Sequence, residues 1–500
     1  MDLDPTACYR AMLARDARYD GRFFVCVKTT GIYCRPVCPA RPPRFENCSF
    51  LPTAAAAQEA GFRPCLRCRP ESAPDLGAWR GTSATVSRAL GLIEAGALDD
   101  GDVDALAARL GVGERHLRRL FRRHLGAAPV TVAQTRRVLL AKQLIHQTDL
   151  PMTQVALASG FGSVRRFNET FQQLYRRPPG ELRRRRATDE PASLGIRLLL
   201  PYRPPYDWAS MIAFLAARAI PGVEVVAGDT YRRVIDIGGA TGAIEVADAA
   251  QDSGLRVTVC FPRLEALPTI IARVRRVFDL GADPAVIVAE LGRDAALAPL
   301  VAARPGLRVP GAWDGFEIAV RAILGQQITV TAARGLAARL VAAFGESVAG
   351  GVGAEGLTHA FPRPDRLDTD GVAALGMPRA RAAAVVGLAA ATLADPRLFD
   401  ARRDLDEAIS SLRALPGIGE WTAQYIAMRA LRESDAFLAG DVALQRILAE
   451  NGRRPTAKDL LARAESWRPW RAYAVLHLWA ADAARRAAPP TQETIDALAA

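Results

Sequence analysis

The spacing of the cysteines places the strongest constraint on this 500-residue chain, because seven of its eight cysteines fall before residue 70. Cys34 and Cys38 form a C-x3-C pair, and after an interval of 26 residues Cys65 and Cys68 form a C-x2-C pair. Two close pairs of thiolates suit tetrahedral Zn²⁺, since each short turn brings two sulfurs to one metal ion. The spacing therefore predicts a small zinc module at the start of the chain, and a purely structural role for that module stays open.

The residues around the two pairs indicate a more specific role for the module. The stretches KTTGIYCRPVC at 28–38 and GFRPCLRC at 61–68 closely resemble the methylphosphotriester-sensing domain of Ada-type adaptive-response regulators, over about residues 1–75. The resemblance implies that all four cysteines bind zinc and that Cys34 also takes a methyl group irreversibly from a DNA phosphotriester. It places contacts to the DNA backbone at four positions, Thr30, Arg41, Arg63 and Arg67.

The implied methyl transfer agrees with the chemistry of zinc thiolates. Zinc keeps sulfur deprotonated at neutral pH, and the thiolate is the nucleophilic form of cysteine. Four thiolates carry more negative charge than one Zn²⁺ neutralises, so methylation of Cys34 lowers the repulsion between the module and a phosphate backbone. A repair event can thus strengthen DNA binding and act as a transcriptional switch.

The distribution of charge favours a polyanionic partner for the first part of the chain. The formal net charge is +12, and residues 1–190 carry 30 Lys+Arg against 19 Asp+Glu, whereas residues 191–500 carry 35 against 34. A concentrated basic charge of this kind is typical of DNA-binding regions. The acidic start MDLD gives no secretory signal, and the longest uncharged alanine-rich run, 382–394, is shorter than the ~20 residues of a membrane span. We therefore expect a cytoplasmic protein without membrane contact.

Residues 82–186 carry two helix-turn-helix patterns. Apolar residues recur at threes and fours from Val103 to Phe121 with a break at Gly111, and a second copy follows Pro151. Arginines form a stripe opposite the apolar face of the first pattern's second helix, at Arg115, Arg118, Arg119 and Arg122. The repeat, with the wording AxxxGFxS at 156–163, resembles AraC-type DNA-binding domains, which implies base-reading helices at 114–124 and 163–174. A solvated basic face is the alternative for either helix alone.

The rear half contains the stretch LPGIGEWTA at 415–423, followed by Asp441. A Gly-x-Gly turn between two helices exposes backbone N–H groups to phosphate, so Gly417 and Gly419 are candidate DNA-backbone contacts. Further matches from 195 to 485 include PYDW at 205–208, FLAARA at 214–219, RAILGQ at 321–326 and WRPWRAYA at 467–474. Together they resemble the AlkA-type 3-methyladenine glycosylases of the helix–hairpin–helix superfamily.

This resemblance implies the catalytic machinery of a DNA glycosylase. Asp441 would stabilise the cationic sugar or activate the attacking water, and the sequence leaves both roles open. A base flipped out of the stack would lie against four aromatic residues, Phe214, Trp421, Tyr425 and Trp479. Their electron-rich rings attract a positively charged alkylated purine more than a neutral one.

Several positions refine the expected reaction. Bifunctional relatives that also cleave the strand use a lysine at the position of Trp421, and the cysteines of an iron–sulfur loop are missing, so we expect base removal alone. Two departures from the family pattern bear on the pocket. Gln327 stands where the wedge that fills the gap in the DNA is usually apolar, with Ile328 next, and Val442 stands where the family often has tyrosine.

The sequence thus predicts a multidomain, mostly α chain. Its expected parts are a small four-cysteine zinc α/β module (1–75), a helical double helix-turn-helix (80–186), an α/β lobe with strands near 231–235 and 255–259 (195–285), and an all-α helix–hairpin–helix glycosylase body (286–500).

The predicted function is an adaptive response to DNA alkylation. The chain would transfer methyl groups to Cys34, regulate transcription and excise alkylated bases such as 3-methyladenine. Zn²⁺ is the expected cofactor, alkylated and promoter double-stranded DNA are the expected partners, and RNA polymerase is a further partner expected of an activator. The alternative is a methylation-switched regulator whose C-terminal half binds damaged DNA without catalysis.

Overall fold

The computed structural model describes residues 3–74, 84–99, 101–183, 195–348, 355–400, 405–450 and 452–487. The domain boundaries predicted near residues 75–80 and 186–195, and the last residues of the predicted glycosylase body, lie outside this described part. The division into four domains therefore stays a prediction.

A four-stranded sheet with two helices forms the first region. Its elements are α1 (Pro5–Leu13), β1 (Phe24–Val27), β2 (Ile32–Cys34), β3 (Cys48–Leu51), α2 (Ala54–Glu59) and β4 (Arg63–Pro64). The strand order is β3-β1-β2-β4, and β2 pairs with β4 in parallel through Tyr33 and Pro64. Cys34 directly follows Tyr33, and Cys65 directly follows Pro64. This pairing therefore brings the two cysteine pairs to the same end of the sheet.

Six helices form the second region. They are α3 (Ala84–Glu94), α4 (Val103–Arg109), α5 (Glu114–Leu125), α6 (Pro129–Gln147), α7 (Met152–Ala158) and α8 (Val164–Tyr175). The long helix α6 connects the pair α4–α5 to the pair α7–α8. The helices predicted at 114–124 and 163–174 are confirmed as α5 and α8, within one residue at each end. Their role in reading bases stays a prediction.

The third region is a five-stranded antiparallel sheet with helices packed on it. Its elements are β5 (Ile196–Pro201), α9 (Trp208–Arg218), β6 (Glu224–Ala227), β7 (Thr230–Ile237), β8 (Ala240–Ala249), β9 (Gly254–Cys260) and α10 (Leu267–Val277). The strand order is β5-β9-β8-β7-β6. The strands predicted at 231–235 and 255–259 are confirmed as parts of β7 and β9.

The remaining described residues form a helical body. Its helices are α11 (Pro284–Leu291), α12 (Ala298–Ala303), α13 (Gly315–Leu324), α14 (Val330–Phe344), α15 (Thr369–Ala373), α16 (Arg379–Ala394), α17 (Leu405–Arg413), α18 (Glu420–Ile426), α19 (Val442–Ile447), α20 (Ala457–Ala464) and α21 (Arg471–Ala487). The loop between α17 and α18 holds the Gly-x-Gly turn. The multidomain, mostly helical fold class is confirmed.

One hydrophobic core crosses from the second region into the third. Its buried residues come from α6–α8 and from the sheet, and they include Val138, Phe171, Leu198, Val257 and Phe278. Two hydrogen bonds reinforce this junction at β5, because the carbonyl of Leu199 accepts from the Gln143 side chain (2.9 Å) and its amide donates to Gln147 (3.0 Å). The front and rear halves are thus packed against each other through an apolar interface.

Within the described residues, three salt bridges also connect the front of the chain to its rear. They are Arg22–Asp283 (2.8 Å), Arg88–Glu433 (2.7 Å) and Arg109–Asp400 (2.6 Å). Among the helices that the structure describes, none is both long enough and apolar enough to cross a membrane.

Candidate functional sites

The four paired cysteines come together in the first region. Their sulfur atoms all lie within 4.8 Å of one another, with Cys65 and Cys68 buried and Cys34 and Cys38 half-buried. The packing of the sulfurs raises the pKa of Cys34, chiefly through hydrogen bonds with Cys38 and then with Cys65 and Cys68, so four thiolates can coexist here only with a compensating cation. Four sulfurs at this spacing fit the tetrahedral ligand set that Zn²⁺ prefers.

Backbone amides distinguish one sulfur from the other three. Backbone amides donate to the other three sulfurs: Arg35 to Cys68 (3.3 Å), Arg67 (3.3 Å) and Cys68 to Cys65, and Ala40 to Cys38. No described backbone amide donates to the Cys34 sulfur. An N–H···S hydrogen bond draws electron density from a thiolate, so this difference favours Cys34 as the nucleophile of the four. Its role as methyl acceptor stays a prediction.

The predicted DNA contacts of the zinc module lie on its surface. Thr30, Arg41 and Arg67 are exposed and Arg63 is half-buried. Within the described part of the chain, none of these three arginines forms a salt bridge, which leaves their guanidinium groups available to phosphate. Their role in DNA binding stays a prediction.

Lys142 on α6 is a residue that sequence reasoning missed. Its side chain is fully buried, and its ammonium group donates to the carbonyl of Cys65 (2.8 Å) and to the carboxylate of Glu71 (2.7 Å), which is 1% exposed. This bridge ties a cysteine of the zinc cluster to the helix that joins the two helix-turn-helix pairs. A single lysine in a helical pattern gives no signal of such burial, since lysines are almost always exposed.

Helix α5 presents its arginine stripe to solvent. Leu117, Phe121 and Leu125 are buried, whereas Arg115, Arg118 and Arg119 are exposed on the opposite side. Arg118 forms an i,i+4 ion pair with Glu114 (2.5 Å). Helix α8 has the same organisation, with Phe167, Phe171 and Tyr175 buried. Both helices therefore have a free face that can enter a DNA groove.

The glycine turn lies between α17 and α18 as predicted. Gly417 has a φ of +82°, and a Cβ there would approach the Cβ of Ala384 to 2.5 Å, so only glycine fits. Gly419 precedes α18, and a Cβ added to it would meet no atom within 4 Å, which leaves the turn open to a ligand. Gln326, which sequence reasoning did not assign, donates to the Gly417 carbonyl (2.9 Å) and to Thr422 (3.1 Å).

Asp441 lies at the start of α19 with both carboxylate oxygens hydrogen-bonded. Oδ1 accepts from the amides of Ala443 (2.9 Å) and Leu444 (3.2 Å) and from the indole of Trp479 (3.2 Å). Oδ2 accepts from the indole of Trp421 (3.0 Å). These four donors hold the carboxylate in one orientation at the wall of a cavity of about 630 Å³.

All four predicted pocket aromatics line the same cavity as Asp441. The rings of Trp421 and Tyr425 are stacked at 5.2 Å, and Trp479 is tilted against Tyr425 at 6.5 Å. Phe214 differs, because the guanidinium carbons of Arg218 and Arg429 lie 3.7 Å and 4.8 Å from its ring centroid. Sequence reasoning missed both arginines, although Arg218 follows Phe214 by four residues on α9. The roles of the four aromatics in base binding stay a prediction.

The structure also distinguishes the two wedge candidates. Gln327 is exposed between α13 and α14 with a φ of +60°, in the left-handed region that residues other than glycine rarely adopt. Ile328 is half-buried against the helical core. Val442, at the other departure from the family pattern, is 54% exposed beside Asp441. Gln327 is therefore the side chain that is free to reach DNA.

Comparisons with known proteins match the regions in the order in which they occur. Family models for the metal binding domain of Ada, a helix-turn-helix domain and the AlkA N-terminal domain match residues 7–71, 106–185 and 197–314. A "probable bifunctional transcriptional activator/DNA repair enzyme AlkA" of Mycobacterium tuberculosis is 43% identical over 477 residues, which cover 94% of this chain and 95% of that protein.

Two further similarities concern the rear half. Escherichia coli DNA-3-methyladenine glycosylase 2 is 38% identical over 56% of this chain and 95% of its own length. The solved structure of a 3-methyladenine DNA-glycosylase from Archaeoglobus fulgidus matches 57% of this chain and 97% of its own, with a TM-score of 0.51 at 23% identity. At that identity the match shows the fold of the rear half alone.

Proposed function

Because this chain belongs to the family of bifunctional transcriptional activator/DNA repair enzymes that join Ada-type and AlkA-type domains, we propose that it detects and repairs DNA alkylation through two separate centres. The first takes methyl groups from DNA methylphosphotriesters and regulates transcription. The second excises alkylated bases such as 3-methyladenine by hydrolysis. The observation that carries the enzymatic part is the fixed Asp441 carboxylate in an aromatic-lined cavity.

Cys34 is the methyl acceptor in the first centre. Cys34, Cys38, Cys65 and Cys68 would hold Zn²⁺, which would keep their sulfurs ionised at neutral pH. The Cys34 sulfur attacks the methyl carbon, the bond from that carbon to the phosphotriester oxygen breaks, and the oxygen keeps the electron pair as a phosphodiester anion. The resulting thioether is neutral, so repulsion from the DNA backbone falls and the affinity of the front half for DNA increases.

Asp441 acts in the second centre chiefly as a fixed negative charge. Oδ1 already accepts three hydrogen bonds, whereas Oδ2 accepts one and keeps a lone pair. The carboxylate stabilises the positive charge that develops on the sugar as the bond between C1′ and the base nitrogen breaks. The base leaves with the electron pair of that bond, and water held at Oδ2 then adds to C1′ and gives one proton to the carboxylate, which returns it to solvent. Trp421 has no amine to form a Schiff base, so the product is an abasic site in an intact strand.

Double-stranded DNA is bound in both halves. In the rear half, the backbone amides around Gly417 and Gly419 hold phosphate, and Gln327 fills the gap left by the flipped base. In the front half, α5 and α8 read promoter bases with the help of Arg115, Arg118 and Arg119. Contact with RNA polymerase follows from the proposed activator role, and the cytoplasmic location stays a prediction from the sequence.

A glycosylase assay on methylated DNA tests the enzymatic part against the binding-only alternative. We expect wild-type protein to release 3-methyladenine, and Asp441→Asn to lower the rate at least ~100-fold while it keeps affinity for the damaged duplex. Asparagine preserves the size of the side chain, so thermal unfolding of both proteins checks that the variant is folded. If the wild-type protein binds the duplex but releases no base, the binding-only alternative stands.

A further inference from the structure

The cavity beside Asp441 has two walls of opposite electrostatic character. On one wall, Trp421 and Trp479 hold the anionic Asp441 between them. On the other, the guanidinium groups of Arg218 and Arg429 lie against the Phe214 ring at 3.7 Å and 4.8 Å. The electron-rich ring of Phe214 is therefore already occupied by two protein cations.

We propose that Arg218 is a specificity-determining residue, which disfavours positively charged bases and favours neutral damaged bases that present a hydrogen-bond acceptor toward Phe214. The inference rests on the proposed glycosylase function. Arg218 differs in its charge partners from Arg233, Arg321 and Arg429, which also line the cavity.

Two deeper arginines of the cavity are neutralised by carboxylates. Arg233 forms an ion pair with Glu317 (2.7 Å), and Arg321 pairs with both Glu224 (2.5 Å) and Glu317 (2.6 Å). Their charge is therefore compensated within the protein by Glu224 and Glu317. These residues hold the cavity together but have little remaining charge to present to a base.

Arg429 has no carboxylate partner within the described residues, but it is held by neutral acceptors. It donates to the hydroxyl of Tyr425 (2.6 Å) and to the carbonyls of Pro310 and Gly311. Burial lowers its pKa, as expected for a cation without a counter-ion. Its hydrogen bonds fix the Tyr425 ring, so Arg429 is best described as a positioning residue for that wall.

Of the two arginines against Phe214, Arg218 is the one that keeps donors available to a ligand. Its one backbone acceptor is the Phe214 carbonyl (3.3 Å), its side chain also interacts with Tyr425, and no described carboxylate pairs with it. Its guanidinium is half-buried at the cavity wall and can still donate. A base whose acceptor atom faces this guanidinium gains a hydrogen bond, whereas a cationic base meets a like charge and a ring face that is already covered.

The test compares two duplexes that differ in the charge of the damaged base. Single-turnover excision is measured on methylated DNA, in which 3-methyladenine is cationic while it is attached to the sugar, and on a duplex with one hypoxanthine, a neutral base with an exocyclic oxygen. Arg218→Met removes the charge and the donors but keeps most of the apolar stem. We expect the rate on hypoxanthine to fall about tenfold or more, and the rate on 3-methyladenine to hold or rise.

A second variant separates the effect of contact with Phe214 from the effect of positive charge anywhere in the cavity. Arg334 also lines the cavity but contacts no aromatic ring among the described residues, and it is exposed on α14. Arg334→Met removes the same charge, so we expect it to change both rates by one common factor. The proposal is overturned if Arg218→Met changes both rates equally, if Arg334→Met shifts the ratio as strongly, or if wild-type protein excises 3-methyladenine but not hypoxanthine. Release of neither base by wild-type protein would instead overturn the proposed glycosylase function.

Discussion

The two reaction centres of this chain use hydrogen bonds in opposite ways. Cys34 is the one sulfur of its cluster to which no described backbone amide donates, whereas Asp441 accepts four hydrogen bonds. A group without donors keeps its electron density and reacts, and it is consumed by the reaction. A group surrounded by donors keeps its position and charge, and it survives each turnover. With the roles proposed for Cys34 and Asp441, the same chain contains a reagent that is consumed and a catalyst that is not.

The largest expected effect follows from replacement of Cys34, the proposed methyl acceptor. Cys34→Ala leaves three thiolates, each with a backbone donor, so we expect no methyl uptake from methylated DNA where wild-type protein takes up one equivalent. Transfer of labelled methyl groups to protein measures this. Cys260→Ala, which removes a half-buried thiol in β9, is the control and should keep the full stoichiometry. Stoichiometric transfer to Cys34→Ala would contradict the assignment of the acceptor.

The two centres also differ in what supports them, since the zinc cluster depends on Lys142 from another region. Lys142→Met leaves Glu71 buried without its partner, and we expect the free energy of unfolding of the front half to fall by about 3–5 kcal/mol. Urea unfolding of the full chain, with zinc release as the measured signal, gives this loss. Arg165→Ala breaks an exposed ion pair with Glu169 and should cost no more than ~1 kcal/mol. Equal losses in the two variants would argue against a buried bridge.

A smaller effect is expected when Asp441 loses one of its hydrogen-bond donors. Trp421→Phe keeps an aromatic ring but removes the indole N–H that holds Oδ2 of Asp441. A hydrogen bond to a charged group contributes ~1.5–3 kcal/mol, so we expect the excision rate constant to fall roughly tenfold to 100-fold. Tyr425→Phe keeps the ring stacked on Trp421 and does not touch Asp441, so its effect on the rate constant should be smaller. The reverse order would mean that stacking, rather than the carboxylate's orientation, limits the reaction.

The smallest expected effect concerns the DNA backbone contacts of the front half. Arg63→Ala removes one predicted phosphate contact, so we expect modestly weaker binding to every DNA sequence. The slope of the logarithm of affinity against the logarithm of salt concentration should become less steep by about one unit. Affinity measured across a series of salt concentrations tests this, with Arg18→Ala as the control because Arg18 is paired with Asp16. Base excision should not change. An unchanged salt slope would remove Arg63 from the DNA contacts.

The features that could be predicted from the sequence are those carried by short stretches. The cysteine pairs, the two DNA-reading helices and the glycine turn before Trp421 depend on neighbouring residues, so spacing and periodicity reveal them. Lys142 and the two arginines at Phe214 could not be predicted. Their environments are formed by residues far away in the chain, and each of these side chains taken alone resembles an ordinary exposed cation.

The same limit applies to the junction between the halves. The change in charge balance near residue 190 agrees with the predicted domain bounds at 186 and 195. Nothing in the local pattern of α6–α8 reveals that their apolar residues continue into the core of the rear lobe. Amphipathic periodicity shows which face of a helix is buried but not which element covers it.

The continuous core has a consequence for how this gene can change. If the chain were divided between residues 183 and 195, one product would expose apolar residues of α6 and α7, and the other would expose apolar residues of β5 and of the short helix at Leu264–Ala266. Such surfaces promote aggregation. A split into two genes would therefore require compensating surface substitutions on both products. As long as the chain stays undivided, cells make the sensor and the excision enzyme together, in a fixed ratio of one to one.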